Sequence, residues 1–308
     1  MLVWFKCPDG QSIEVKECLA KCRMEHRCLT TPTLRLISKE REWNGVASTT
    51  QLLNGTMEEF LKLTMPYAVD PDKRMFSLAG TMHHHSLEES AKELGLPSEV
   101  ALSIDRDIFD LLEPADDLVL IQKSTGEEVE RIKAWCLTDY KLWGSFKLVT
   151  ALGIVEIGKR PSPNGDIYKV SGKWGKAGSP KLVSIWKQDP EKADLWEQEM
   201  QLNRYRTMLE RKGVSIVRMQ LQVMVRDGGL AVAHSRGIER NSYIIPIKQL
   251  DDNDVEEYFA EKEYDLAKAL ELGECITPCN NRECWDDAKC RGYCDVKMYC
   301  PKGSLFKE

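Results

Sequence analysis

Apolar residues follow two kinds of spacing along this chain, and together they predict a mixed α/β fold. Helical spacing predicts helices at 34–43, 48–63, 82–94, 194–212 and 254–272. Short apolar runs bounded by turn residues predict strands at 108–112, 118–121, 132–137 and 214–225, with 230–233 as the hairpin partner of the last. The resulting order is helix, sheet, helix, sheet, which indicates an α/β class.

Capping and breaking residues indicate where several of these elements begin and end. Ser48, Thr49 and Thr50 can cap the second helix, and Gly213 is expected to end the fourth. The interval 158–180 is rich in glycine, proline and lysine and has little apolar periodicity. It is therefore predicted to be an extended loop or flap.

Eleven cysteines in 308 residues are clustered at the two ends of the chain. Four lie in the first thirty residues and six in the last thirty-five, and Cys136 stands alone between them. The segment from Met1 to Cys7 lacks the pattern of a secretory signal, and no apolar run is long enough to span a bilayer. We therefore expect a cytoplasmic protein without a membrane partner.

In a reducing compartment, clustered cysteines favour metal binding over free thiols or disulfides. The clustering also predicts three parts. These are a cysteine-rich module at 1–32, a core at 33–272 with a basic insertion near 158–190, and a cysteine-rich clasp at 273–308.

A strongly basic segment lies within a chain whose formal net charge is -6. Between Lys141 and Lys187, nine lysines and arginines outnumber two acids, and aromatic residues are interspersed among them. Rings among cations suit a nucleic-acid strand whose bases stack while its phosphates are neutralised. The alternative is a solvated basic loop with a few core aromatic residues. The candidate DNA contacts are Lys147, Lys173, Trp174, Lys176 and Lys181.

Asp139 and Lys141 are separated by one residue at the end of an apolar run. On a strand, residues two apart face the same side, so the carboxylate and the ammonium group would share one site. A carboxylate can bind magnesium or manganese, and an ammonium group can orient or activate the water that attacks a phosphodiester. The triplet alone also fits a surface salt bridge, so the hypothesis depends on further residues.

Such residues precede and follow the pair along the chain. His84 lies in a histidine triplet on the third predicted helix, and Asp110 lies on a predicted strand. Gln201 and Tyr205 are one turn apart on the fourth predicted helix. Each also has a simpler explanation. The histidine triplet could be a solvated helix surface, Asp110 could cap a turn, and Gln201 with Tyr205 could be the polar edge of a packed helix.

The order of these motifs resembles the RecB-like branch of the PD-(D/E)XK nucleases. Members of that branch carry G-T-x-x-H-x-x-L-E, then G-x-x-D, then (D/E)-x-K, then Q-x-x-x-Y. The matching positions here are 80–88, Asp110, Asp139 to Lys141, and Gln201 to Tyr205, within a resemblance over 48–247. Asp107 departs from the pattern, since the second motif usually has glycine there.

The resemblance implies a PD-(D/E)XK core, in which helices flank a mixed central sheet. It also implies a magnesium or manganese ion bound by His84, Asp110 and Asp139, with Lys141 serving the attacking water. In the family, the helix motif represented here by Gln201 and Tyr205 lies along the active site and helps to position DNA.

The terminal cysteines share a spacing, because Cys290, Cys294 and Cys300 repeat the intervals of Cys18, Cys22 and Cys28. Three thiolates this close can hold zinc or an iron-sulfur cluster once a fourth ligand is supplied. In RecB-like relatives with such clusters, including CRISPR-associated nucleases, one upstream cysteine and a C-terminal trio hold a four-iron cluster.

By this resemblance, Cys290, Cys294 and Cys300 are expected to bind a [4Fe-4S] cluster, with Zn²⁺ as the open alternative. Cys284 is the assigned fourth ligand, although Cys275, Cys279 or an upstream cysteine could also complete the site. The early cysteines could close a second zinc or iron-sulfur site of their own: Cys7, Cys18, Cys22 and Cys28.

We therefore expect a Mg²⁺- or Mn²⁺-dependent deoxyribonuclease. The resemblance implies an exonuclease or single-strand-processing role in recombination, repair, phage DNA metabolism or CRISPR adaptation, in a bacterial or phage-infected bacterial cell. Its substrate would be single-stranded DNA or duplex ends, and a recombination or single-strand-binding protein could be a partner. The alternatives are a non-catalytic zinc or iron-sulfur nucleic-acid-binding protein and an iron-sulfur redox sensor.

Overall fold

Helices and strands alternate in the computed structural model, which describes residues 1–103, 107–172 and 175–306. Among these residues the strands are β1 (Leu2–Lys6), β2 (Ser12–Glu14), β3 (Tyr67–Val69), β4 (Ser98–Ser103), β5 (Asp107–Pro114), β6 (Leu118–Ile121), β7 (Glu128–Ile132), β8 (Ala134–Trp143), β9 (Ile154–Pro161), β10 (Leu182–Gln188), β11 (Ser215–Val225) and β12 (Ser242–Ile247). The α-helices are α1 (Val15–Ala20), α2 (Thr31–Ile37), α3 (Thr49–Leu53), α4 (Thr56–Thr64), α5 (Met75–Glu93), α6 (Ser145–Ala151), α7 (Trp196–Glu210), α8 (Ala231–Ser235), α9 (Asp252–Leu272) and α10 (Ala288–Gly292). The expected mixed α/β class is confirmed.

The chain divides into two compact units. The first contains Met1–Leu112, Met200–Ile216 and Gln249–Glu308, and the second contains Glu113–Glu199 and Val217–Lys248. Across the described part of the chain, no helix has the length and apolar character needed to cross a bilayer.

A three-stranded mixed sheet lies near the start of the first unit. β1 is its central strand, antiparallel to β2 and parallel to β3. Phe5 on β1 is the register partner of Val69 on β3, and both side chains are almost fully buried. The apolar side of this sheet therefore forms part of the core.

α2 ends at Ile37, so the prediction of a helix through residue 43 was wrong. The carboxylate of Glu40 instead accepts hydrogen bonds from the backbone N–H of Leu2, at 2.8 Å, and from the hydroxyl of Tyr67. These bonds connect the residues after α2 to β1 and β3. The local spacing of apolar residues cannot predict contacts between residues this far apart in the sequence.

The single helix predicted at 48–63 is two helices, α3 and α4. Ser48 and Gln51 form a reciprocal capping box at the start of α3, as the capping signal predicted. Between the helices, Gly55 has a φ of +97°, and a Cβ there would lie 2.8 Å from Oε2 of Glu283 and 2.9 Å from Sγ of Cys279. The break at Gly55 thus lets the C-terminal cysteine segment approach the backbone closely.

The longer helices agree well with the periodicity. α5 contains the histidine triplet but begins at Met75, before the predicted start, whereas α7 and α9 lie close to their predicted bounds. α7 is tied to the start of α9 by Arg206, which is almost fully buried and pairs with Asp252. Asn203 adds a bond by accepting from the backbone N–H of Leu250 at 2.9 Å.

In the second unit, β11 lies between β8 and β12. The prediction that 230–233 pairs with β11 was wrong, because β12 is the partner and 231–233 lies in α8. Ile245 on β12 is buried opposite Leu221, whereas Leu230 is 59% exposed. The partner is thus the segment that can bury apolar side chains against β11.

The basic interval is only partly a loop. β9 continues to Pro161 and pairs with β10 in an antiparallel hairpin, so the predicted loop at 158–180 begins inside a strand. Among the described residues between these strands, turns and isolated bridges replace regular structure.

Gly55→Ala should lower the free energy of unfolding by about 2–4 kcal/mol, because the positive φ and the overlap with Glu283 and Cys279 both oppose a side chain. Urea denaturation followed by circular dichroism measures the change. Gly45→Ala is the matched control, since Gly45 has a φ of +91° but nothing within 4 Å of its Cβ position. Equal losses in the two variants would contradict a steric role for Gly55.

Candidate functional site

An imidazole and two carboxylates converge in the first unit. Nδ1 of His84, on α5, lies 3.3 Å from Oε1 of Glu99 and 3.5 Å from Oδ2 of Asp110. One potential ligand atom from each residue lies within 4.8 Å of the other two. We call these three residues the His84 cluster.

The β4–β5 hairpin brings the two acids together. The paired residues on either side place Glu99 directly opposite Asp110 across the antiparallel strands. The hydroxyl of Ser98 donates to the backbone carbonyl of Asp110 at 2.6 Å and strengthens this register. Opposed carboxylates repel each other, so a positive group between them is stabilising.

Sequence reasoning missed Glu99. Its backbone is in the left-handed region, with a φ of 51°, which is uncommon for a residue other than glycine. The available signal was an acid just after Pro97, facing Asp110 across a short hairpin, but recognising it requires the register. Asp107, the departure from the motif, is buried and accepts from the backbone N–H of Thr49 at 2.7 Å.

The two carboxylates determine the protonation of His84. Hydrogen bonds, mainly to Asp110 and also to Glu99, raise the pKa of His84 to about 10, although burial acts in the opposite direction. Burial and the neighbouring charge of His84 lower the pKa of His83. Adjacent histidines therefore differ in character: His84 holds a proton between two acids, and His83 favours the neutral form.

The donor set of the His84 cluster suits a divalent cation. Two carboxylate oxygens and one imidazole nitrogen are ligands that Mn²⁺ accepts, and Mg²⁺ prefers the oxygen donors. His84, Glu99 and Asp110 would hold the ion. The bound ion would polarise a phosphate oxygen and lower the pKa of a coordinated water.

In the second unit, β8 presents Asp139 and Lys141 on one side, as the strand period predicted. Nζ of Lys141 lies 2.7 Å from Oδ2 of Asp139, and the Asp139 side chain is buried. Tyr140, between them, is also buried. The geometry of the (D/E)-x-K triplet is therefore that of a buried acid paired with a less buried ammonium group.

α7 presents Gln201 and Tyr205 one turn apart, in contact with each other. Nε2 of Gln201 donates to the hydroxyl of Tyr205 at 3.3 Å. Tyr205 is buried, and its neighbours Asn203 and Arg206 serve the contact with the start of α9. The structure thus brings together three sequence-predicted pairs: His84 with Asp110, Asp139 with Lys141, and Gln201 with Tyr205.

The basic candidates in the second unit have mixed surroundings. Nζ of Lys147 lies 3.6 Å from a carboxylate oxygen of Glu197 and 5.8 Å from the ring centre of Trp143. These contacts within the unit partly compensate for its charge. Lys176 and Lys181 are exposed between β9 and β10. Lys173 and Trp174 lie outside the described residues.

Five C-terminal cysteines line one cavity in the first unit: Cys279, Cys284, Cys290, Cys294 and Cys300. Two of these cysteines, Cys284 and Cys290, also have ligand atoms within 4.8 Å of each other and of a ligand atom of Asp287. We call this the cysteine cavity. It contains the four C-terminal residues assigned from sequence and adds Cys279.

Thiols of the cysteine cavity are held away from water. Burial raises the pKa of Cys279 to about 12 and that of Cys294 to about 11. Lys302 donates to Sγ of Cys284 at 3.3 Å, and Glu58 also lines the cavity. Buried thiols become thiolates when a metal replaces their protons, so the donor set fits zinc or an iron-sulfur cluster.

The four early cysteines are in the first unit but at a different place. Cys7 follows β1, Cys18 lies on α1, and Cys22 and Cys28 lie in the irregular segment before α2. Among the described residues that line the cysteine cavity, every cysteine comes from the C-terminal segment.

His84 titration provides a direct test of the His84 cluster. In metal-free protein, the imidazole NMR signals of His84 should titrate with a pKa of about 10, far above the ordinary value of 6.5. Because the folded-state pKa is raised, the associated stabilisation is fully present below pH 6.5 and is lost as the pH rises through about 10. Denaturation between these limits should show a pH slope that His84→Gln abolishes.

His85→Gln is the matched control, since His85 is exposed and lies outside the cluster. It should leave that slope unchanged. An ordinary pKa for His84, or an unchanged slope in His84→Gln, would contradict the arrangement described.

No protein-family model matches this chain, and no curated protein matches it. A structural comparison finds similarity to SSO0001, known from a crystal structure, with 13% sequence identity, a TM-score of 0.34, and coverage of 88% of this chain and 92% of that chain.

Proposed function

We propose that this protein is a metal-dependent deoxyribonuclease of the PD-(D/E)XK type. The observation that carries the proposal is the His84 cluster, in which an imidazole meets two carboxylates that face each other across a hairpin. The ordered motifs of the sequence and the ion pair between buried Asp139 and Lys141 support it.

Each group has a definite task in this proposal. His84, Glu99 and Asp110 bind the cation, and Asp139 and Lys141 take the roles of the (D/E)-x-K motif. A bound divalent cation supplies Lewis acidity to phosphodiester hydrolysis. By the resemblance, Lys141 would serve the attacking water, and its 2.7 Å ion pair with Asp139 holds the ammonium group in place.

DNA as the substrate is supported by a cleft of about 680 Å³ in the first unit. Its lining includes seven basic and three acidic residues, a balance that attracts phosphate. Trp285 and Tyr293, 46% and 68% exposed, lie at this cleft with ring centres 5.8 Å apart. Exposed rings among cations can stack with the bases of a single strand.

A non-catalytic nucleic-acid-binding protein is the second candidate, favoured by the same cleft and by the adjoining cysteine cavity. Cys294 and Lys289 line both. Such a protein would bind DNA and leave it intact in the presence of manganese. Catalytic turnover therefore separates the two candidates.

The His84 cluster and the (D/E)-x-K pair should both be essential for cleavage. With linear DNA and Mn²⁺, Asp139→Asn, Lys141→Ala and Glu99→Gln should each reduce the cleavage rate by about 100-fold or more, because the proposal gives each of these side chains a role as a metal ligand or a catalytic charge. DNA binding, measured by fluorescence anisotropy in calcium, should persist.

Glu89→Gln and His85→Ala are matched controls on α5, and both should cleave at the parental rate. Full cleavage by Lys141→Ala would refute the role of the lysine. Full cleavage by Glu99→Gln would remove Glu99 from the proposed metal site.

We also propose that the cysteine cavity binds a [4Fe-4S] cluster, with Zn²⁺ as the alternative. Anaerobically purified protein should contain about four iron atoms per chain and absorb broadly in the visible range. Cys290→Ser should lose both properties, whereas Cys136→Ser, in the second unit, should keep them. Zinc in place of iron would establish the alternative, and retention of the full metal content by Cys290→Ser would exclude both.

A further inference from the structure

The hairpin of β1 and β2 turns at a cysteine. The backbone N–H of Cys7 donates to the carbonyl of Gln11 at 2.7 Å, and that of Gly10 donates to the carbonyl of Cys7 at 2.9 Å. Gly10 has a φ of +83°, which suits a tight turn. The Cys7 thiol is therefore located by a defined turn at the end of β1.

α1 follows this hairpin and packs against it, with Cys18 buried on the helix. The helix has only six residues and ends at Ala20. Nη1 of Arg27 donates to the backbone carbonyl of Cys18 at 2.7 Å, and Nη2 donates to that of Leu19 at 3.3 Å. Arg27 thus draws the segment that contains Cys22 and Cys28 back over the end of α1.

The contacts of Arg23 with Asp9 and of Arg27 with the Cys18 carbonyl bring Cys22 and Cys28 towards Cys7 and Cys18. The pKa of Cys18 is raised mainly by burial and further by the charges of Cys22, Cys28 and Cys7. Arg23 contacts Sγ of Cys7 and the carboxylate of Asp9. Two arginines therefore accompany the four sulfurs and would offset the negative charge of thiolates.

The segment 21–30 needs a further constraint. Within this described stretch there is neither helix nor strand, and most of its side chains are exposed or half-buried. Between residues 1 and 34, the buried apolar side chains are only those of Phe5, Ile13, Cys18 and Leu34. Small modules of this kind are commonly stabilised by a structural metal or by disulfides.

We infer that Cys7, Cys18, Cys22 and Cys28 bind one structural Zn²⁺ ion, in a site separate from the cysteine cavity. Four thiolates favour tetrahedral zinc. Among the described residues, the groups of three ligand atoms within 4.8 Å lie elsewhere. Binding therefore draws the sulfurs together, and the irregular segment with Cys22 and Cys28 can make that movement.

Metal analysis of the full chain tests this inference. Wild-type protein should contain one zinc atom in addition to whichever metal the cysteine cavity binds. Cys22→Ser and Cys28→Ser should each lose one zinc per chain and keep the metal that depends on Cys290. Their substitutions lie at half-buried or exposed positions, so folding should survive. Cys136→Ser is the control and should lose nothing.

Replacing the zinc with cobalt allows the thiolate ligands of this site to be counted by absorption spectroscopy. The sulfur-to-cobalt absorption of this site should fall by about one quarter in Cys28→His, because histidine keeps the tetrahedral site but replaces one sulfur. Chelation of zinc should accelerate trypsin cleavage after Lys21, Arg23 or Arg27 by at least about tenfold, since that segment loses its cross-link.

Two outcomes would overturn the inference. Unchanged zinc in both serine variants would show that these thiols bind no metal. Loss of the metal of the cysteine cavity in either variant would instead make an early cysteine a ligand of that centre. Neither outcome depends on nuclease activity, so the test is independent of the proposed reaction.

Discussion

Buried carboxylates on α4 are the constraint on which the C-terminal part of the first unit depends. Glu58 and Glu59 are almost fully buried, and a buried carboxylate needs a cation or hydrogen-bond donors. Lys62 supplies one from the same helix, at 2.7 Å from Glu58, and Lys289 supplies another from α10. Burial alone would lower the pKa of Lys62, but the charges of Glu59 and Glu58 raise it above the usual range. Because Lys289 is adjacent to Cys290, this pairing fixes where the cysteine segment lies on α4.

A second electrostatic requirement acts at the His84 cluster. There the register of one hairpin places the carboxylate of Glu99 opposite that of Asp110, so that the two negative charges repel each other. The protonated imidazole of His84 compensates for this repulsion. These carboxylates stabilise the proton on His84, and in the proposed function the same negative charge would attract a metal ion.

The sequence predicted the elements whose side chains repeat regularly. α7, α9 and β11 are long and amphipathic, and Asp139 with Lys141 depended only on the strand period. Glu99 could not be predicted, because its relation to Asp110 exists only through strand register. The division at Gly55 was also hidden, since its cause is a segment more than 200 residues away. Structure that depends on contacts between distant residues cannot be predicted from the local pattern of apolar residues.

The proton on His84 has a thermodynamic consequence for ion uptake. A cation that takes Nδ1 as a ligand must expel that proton, because one lone pair cannot serve both. Under the proposed function, uptake near neutral pH would thus be an exchange reaction that releases acid into the medium. Its apparent enthalpy, observed calorimetrically, contains the ionisation heat of whatever buffer receives the proton, and the ion competes less well as acidity increases.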